Sequence, residues 1–336
     1  MIISNSPHTH SGNSIQKNMC RVIYALIPAY LVALYFFGLG ALIVSLTCMV
    51  SCVVFEYVIQ KFMLKRETTI CDCSALLTGL LLSFNLPSNL PWWMAVLGAA
   101  FAIGIGKMAF GGLGNNPFNP ALTGRVFLLI SFPAAMTTWP RPIPLNMHYL
   151  DAETGATPLS YIKQLAASDV VDATSSATAL KPIQDIMASI PDHLSMLLGN
   201  IGGSMGEVCA LALIIGGIYL ICTKTITWHI PVSILVTVTV FTWILHAVHP
   251  MNYADPLYHL LTGGLLLGSI FMATDYATSP MTHWGQIIYG VGIGLITVII
   301  RVWGNYPEGM SFAILIMNGV TPLINNYIKP KPFSKL

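Results

Sequence analysis

The sequence predicts an all-α integral membrane protein of about ten transmembrane helices, in two inverted repeats of five joined by a long polar loop. Three observations carry this. Of 336 residues 55% are hydrophobic and only 8% charged, against roughly 25% charged in soluble domains, and the mean hydropathy is +0.71. Apolar stretches recur along the whole length, too many for a removable leader, while residues 1–16 are polar and lack a cleavage pattern. Short motifs recur five spans apart, an odd number, so the two halves must run in opposite directions. A net charge of +2 with no basic cluster away from the ends excludes nucleic acid as a partner.

A hydrocarbon core about 30 Å thick takes about 20 apolar residues as helix, and fewer where an end is buried in protein. The first half, 1–135, holds candidate spans at 21–37, 40–59, 73–86, 92–109 and 118–135. The third and fifth are short or interrupted by Gly and Pro, as in transporters whose broken helices line a central site. A polar loop fills 136–206. The second half, 207–328, holds spans at 207–222, 229–247, 257–273, 284–302 and 309–327, and 329–336 forms a short tail. With the N-terminus inside, Lys17, Arg21, Lys61, Lys65, Arg66, Lys107, Arg125, Lys224, Lys329, Lys331 and Lys335 fall on the inner side, and only Arg141, Lys163, Lys181 and Arg301 fall outside. That bias places both termini in the cytoplasm and the loop, with its acidic residues, outside.

The repeat rests on two matches. Asp72-Cys-Ser-Ala-Leu-Leu-Thr78-Gly79 resembles, with one residue inserted, Asp255-Pro-Leu-Tyr-His-Leu-Leu-Thr262-Gly263, and Gly114-Asn115-Asn116-Pro117 resembles Gly304-Asn305-Tyr306-Pro307. Both pairs occur in the same order at equivalent spans.

Few residues in the spans can carry chemistry. The seven cysteines are an odd count, most lie in apolar stretches as small hydrophobes, and neither Cys71/Cys73 nor Cys48/Cys52 has a further pair at metal-ligand spacing. Phe110 to Arg125 packs glycines, asparagines and prolines between apolar spans, and such irregular backbone is tolerated only against protein or a cavity. Two readings stand there: Asn115, Asn119 and Arg125 face a flavin or an ion, or the stretch is a turn with Arg125 snorkelling to the inner surface. At the start of span six, Ser204-x-x-Glu207 fits a capping box, and the glycines around Ser204 equally suit a phosphate. Among the ionisable groups Glu56, Asp72, Lys107, Arg125, His246, Asp255, Asp275 and Arg301, three mark a candidate path for Na⁺ or H⁺: Asp72, Asp255 and Asp275. Helix capping or headgroup water accounts for the same three carboxylates. His246 and His249 lack a third ligand, and no metal site is expected.

The polar loop contains Asp151-Ala-Glu-Thr154-Gly155-Ala156-Thr157. It resembles the acceptor sequence of flavin transferases, Asp-x-x-(Ser/Thr)-Gly-Ala-(Thr/Ser), in which the last hydroxyl takes FMN through a phosphoester. A Thr-Gly-Ala turn would project that hydroxyl unhindered, and Asp151 would orient the loop or the transferase's metal. Together with Gly111 to Ala121, Gly203 to Glu207 and Met272 to Pro280, nearly the whole chain is similar to the family of the Rnf electron-transport complex's D subunit. The related B subunit of the Na⁺-translocating NADH:quinone reductase typically begins with a longer N-terminal segment, and here span one is reached by residue 21.

The resemblance implies a bacterial inner-membrane redox subunit with covalent FMN on Thr157 at the outer face, and leaves room for a second, non-covalent flavin such as riboflavin near Asn115 to Arg125. It implies as partners the A, B, C, E and G subunits of Rnf, a maturing flavin transferase, the bilayer, and Na⁺ or H⁺. It also implies that ferredoxin and NAD chemistry drives ion movement. The same inverted fold occurs in urea-transporter-like channels, so a channel without redox function is the competing class. A structural anchor for redox partners is the third.

Overall fold

The computed structural model describes residues 14–329 apart from 145–148, 150–153, 156, 158, 161–162, 164–191, 200, 249–252, 305 and 307. Helix α1, Ile15–Val58, opens on Ser14, whose side chain accepts from the Lys17 amide, and continues into a π-turn at Ile59–Met63. It is not one rod. Gly38 has φ 56° and ψ −129°, a conformation open to glycine alone. The Tyr30 and Ser45 hydroxyls, 15 residues apart, meet at 2.7 Å, whereas a continuous helix would hold those residues about 22 Å apart. The chain therefore doubles back at Gly38, between the first two predicted spans.

α2, Ser74–Phe84, buries ten of its eleven residues, as a helix apolar all round must. α3, Trp92–Gly104, packs on α1 and on α4, Pro120–Ser131. Asn119 caps α4 by accepting from the Ala121 and Leu122 amides at 3.0 and 3.4 Å, and Pro120 takes the first helical position, where its missing N–H costs nothing. The predicted fifth span is divided: α4 ends at Phe132, and Pro133 starts a short α5, Pro133–Thr137. β1, Trp139–Pro140, pairs antiparallel with β2, Thr154–Gly155, and α6 is His193–Leu198.

In the second half α7, Ala210–Cys222, begins three residues later than predicted, capped by the Cys209 sulfur, which accepts from the Ala212 amide. α8, His229–Val248, packs along α11, His283–Trp303. The predicted eighth span is three pieces: α9, Pro256–Leu261, a break at Thr262–Gly264, then α10, Leu265–Leu267, running into a π-turn at Gly268–Met272. α12, Met310–Tyr327, closes the chain.

Helix thus occupies part of every predicted interval. Among the described residues four helical runs, Ile15–Met63, Trp92–Phe110, His229–Val248 and His283–Trp303, are long and apolar enough to cross a membrane, and Ser74–Phe84, Pro120–Ser131 and Ala210–Cys222 are shorter apolar helices. The protein is a mostly helical, multi-pass membrane protein.

The two halves share one apolar core, from Ala25 to Ile324, and are sewn together by main chain. The irregular segment ahead of α7 runs beside the end of α2, where the amides of Met205 and Gly206 donate to the carbonyls of Leu86 and Phe84 at 3.4 and 2.8 Å. Asn119 Nδ2 donates to the Met272 carbonyl at 3.1 Å.

Candidate functional site

The polar loop presents its threonine turn beside this core. β2 holds Thr154 and Gly155 against Pro140 and Trp139. The Arg141 side chain covers Gly155, with Nε 3.0 Å from where a Cβ would stand. Thr157 is only 5% exposed, and its hydroxyl accepts from the Ser160 amide at 3.3 Å. The unhindered hydroxyl expected of a Thr-Gly-Ala turn is therefore turned inward, because it caps the start of the next helical turn. Further along, the Lys163 ammonium donates to the carbonyls of Gly304 and Tyr306, and desolvation lowers its pKa below that of an ordinary lysine. Asp151 and Ala156 lie outside the described residues.

Below the turn lies a layer of buried charge. Leu159 and the Arg301 guanidinium both press on Gly263. Arg301 donates to the carbonyls of His259, Thr262 and Gly263 at 2.6, 3.0 and 2.9 Å, so it neutralises the helix end exposed by the break after α9. On the other side of that break the Glu207 carboxyl faces Gly264 and lies beside Ser204 and Glu308. Arg125, from α4, forms a buried ion pair with Glu308 and donates to Asn85 Oδ1 at 2.9 Å and Ser311 Oγ at 2.6 Å. One cation thereby links both halves.

At the opposite end of α2 stands a second buried pair. Lys107 Nζ donates to Glu56 Oε2 at 2.6 Å and to Ser74 Oγ at 2.7 Å, with Lys107 and Glu56 only 1% and 0% exposed. Glu56 Oε1 accepts from Gln60 Nε2 and Thr69 Oγ1, both at 3.1 Å. Next to this pair a cavity of about 70 Å³ is lined by Asn116, Asn119, Thr78, Thr225 and Asp275. The Asp275 carboxylate accepts from the side chains of Asn116 and Thr278. Ligand pockets usually measure about 300–1,000 Å³, so the cavity is too small for a flavin ring without movement of its walls.

Residues 2–334 match the NQR2, RnfD, RnfE family. The chain belongs to that family. It is 46% identical over 333 residues to the D subunit of the Na(+)-translocating ferredoxin:NAD(+) oxidoreductase complex of Acetobacterium woodii, covering 98% of this chain and 94% of the relative. It is 42% identical over 331 residues to the D subunit of the proton-translocating ferredoxin:NAD(+) oxidoreductase complex of Clostridium ljungdahlii, covering 98% and 95%. The D subunit of the ion-translocating oxidoreductase complex of Pectobacterium carotovorum is 40% identical over 346 residues, covering 98% of each chain.

For this family member the sequence-derived candidates divide into groups. Thr154, Gly155 and Thr157 are together on the docked turn. Asn119 and Arg125 are buried but separate, one as the cap of α4 and the other within the charge layer; Arg125 does not snorkel to a surface, because Glu308, Asn85 and Ser311 satisfy it in place. Asn115 is exposed, and its neighbour Asn116 lines the cavity instead. Ser204 and Glu207 form no capping box: α7 starts at Ala210, and both residues belong to the irregular segment against α2.

The three aspartates do not converge. Asp72 sits in a 3₁₀ turn ahead of α2. Asp255 precedes α9 without a side-chain cap bond and lies 3.8 Å from His193, both half-exposed. Asp275 alone reaches the cavity. Glu308 was not singled out from sequence, although burying Arg125 in an apolar helix demanded a counter-charge and few acids were available.

Proposed function

We propose that this chain is the D subunit of an Rnf-type, ion-translocating ferredoxin:NAD⁺ oxidoreductase in a bacterial inner membrane, with FMN joined through a phosphoester to Thr157. The 46% and 42% identical relatives, each named as the D subunit of such a complex, support the assignment. The observation that supports the flavin is the threonine turn itself: Thr154 and Gly155 are held by a two-stranded pairing, with the Arg141 guanidinium against Gly155. A phosphodiester brings one negative charge, and the Arg141 guanidinium beside the turn suits it. When bound, FMN supplies one- and two-electron transfer. This chain's part would be to hold the ribityl phosphate on Thr157, with the Arg141 guanidinium beside the turn.

In this reading the two halves are inverted repeats, both termini are cytoplasmic, and the loop lies on the outer face. The ion is Na⁺ or H⁺, and the remaining Rnf subunits are the partners. Because the Thr157 hydroxyl is turned inward and caps Ser160, the transferase acts on a turn that has been released from the membrane part.

The test is in-gel flavin fluorescence of the denatured protein after co-expression with a flavin transferase. A fluorescent wild-type band that is lost in Thr157→Ala is expected. A dark wild-type band, with the transferase active on a control substrate, would remove the flavin from this reading and favour a channel built on the same frame.

A further inference from the structure

The charge layer contains more acid than its hydrogen bonds employ. Glu207 and Glu308 are 6% and 8% exposed, their carboxyls are neighbours, and only Glu308 is bonded to the Arg125 guanidinium. One oxygen of each, Glu207 Oε1 and Glu308 Oε1, is buried without a hydrogen-bond partner among the described residues, as is Arg125 Nε. The segment 201–209 brings Glu207, the turn before α12 brings Glu308, α4 brings Arg125, and α11 brings Arg301. Arg301 is within electrostatic reach of both carboxyls, but its bonds go to three carbonyl oxygens. His259 of α9, its carbonyl bonded to Arg301 and its Nδ1 unpartnered among the described residues, and Tyr306, which lines a cavity with Arg125 and Glu308, are further titratable groups nearby.

Two carboxylates in contact inside a low-dielectric core disfavour the doubly ionised state, and the nearby guanidinium groups do not bond Glu207: Arg125 is taken by Glu308 and Arg301 by three carbonyls. A proton or a cation between the two carboxyls would relieve that repulsion. A Na⁺ ion needs several oxygen ligands and would sit next to a guanidinium; a proton needs one acceptor and leaves the Arg125–Glu308 pair intact.

From this geometry we infer that Glu207 and Glu308 form a proton-binding dyad, in which one proton is shared between the two carboxyls and held in place by Arg125. Two small cavities adjoin it. One, of about 10 Å³, lies between Glu207 and the break at Gly264. The other, of about 20 Å³, separates Arg125 and Glu308 from Trp139 and Tyr306. Each is close to the size of a single water. Because Trp139 pairs with Gly155, the larger cavity leads from the dyad to the underside of the threonine turn. A water there would connect the dyad to the loop side of the protein.

The dyad does not depend on the flavin, so it is tested in the purified complex assembled with and without the transferase. Infrared spectra in H₂O and D₂O are recorded for wild type, Glu207→Gln and Glu308→Gln. The expected result is a deuterium-sensitive carboxylic-acid C=O band near neutral pH, equivalent to one proton per chain, absent from both variants and insensitive to Na⁺. If Glu308→Gln fails to assemble because Arg125 is left unpaired, Glu207→Gln decides alone, since it leaves the Arg125–Glu308 pair intact. A wild-type spectrum without the band, a band surviving in Glu207→Gln, or a band displaced by Na⁺ at constant ionic strength overturns the inference; the last would mean that a cation occupies the site.

Discussion

Replacing Lys107 with Met tests whether the second buried pair is a structural clamp. Lys107 and Glu56 are almost wholly buried and 2.6 Å apart. At an effective dielectric of about 20 their gross attraction is about 6 kcal/mol, most of which repays the cost of taking both charges out of water. Lys107→Met keeps the stem's volume but leaves the Glu56 carboxylate with only Gln60 and Thr69 as donors. An uncompensated buried charge costs about 3–5 kcal/mol. The double variant Glu56→Gln/Lys107→Met removes both charges and retains an amide for the Gln60 and Thr69 network. It should therefore lose only about 1–2 kcal/mol, a coupling of roughly 2 kcal/mol or more. Reversible SDS-driven unfolding in mixed micelles reads both values. A single-variant loss below about 1 kcal/mol, or a double variant equal to the sum of the singles, would refute the clamp.

Three further outcomes follow from local geometry. Gly38→Ala puts a Cβ on a residue with φ 56° and ψ −129°, and should cost about 1–3 kcal/mol in the same unfolding assay; no loss would mean the reversal tolerates another backbone path. Gly206→Ala places a Cβ 2.7 Å from Leu267 and 2.8 Å from Phe84 Cβ, and should destabilise by about 1–3 kcal/mol while slowing the regain of native structure; wild-type behaviour would show that the 204–207 segment moves aside freely. Burial lowers the Lys163 amine below the usual lysine range, so the undocked loop binds its proton more tightly than the docked one. Docking should then be flat around neutrality and strengthen as pH rises from the depressed value towards the ordinary one, seen as growing protection of the 136–206 loop from protease. Weaker protection in that alkaline window would contradict the assignment.

The membrane class and the apolar helices within it were legible because hydrophobic runs are local signals. The break in the eighth interval was not, since "LLTGGLLLGSIF" (260–271) is predominantly apolar and is interrupted only by the left-handed Gly263 and Gly264, the former accepting from Arg301 and the latter facing Glu207. The start of α7 was misplaced for a related reason. Ser204-x-x-Glu207 has the spacing of a cap, but the carboxyl has a better use across the chain beside Glu308, and the Cys209 sulfur serves as the cap. Partners such as Arg125 and Glu308, 183 residues apart, are invisible to any windowed reading. They become legible only through the requirement that buried charges be paired.

The backbone bonds from Met205 and Gly206 to the end of α2 carry a mechanical consequence. A carrier that alternates access lets one half rock against the other and opens the seam between them in every cycle. Here that motion would strip main-chain bonds from both sides of the seam, part Asn119 from Met272, and pull Arg125 away from Glu308 and Ser311. Such a frame resists a rocking stroke, because every opening of the seam breaks buried bonds on both sides of it.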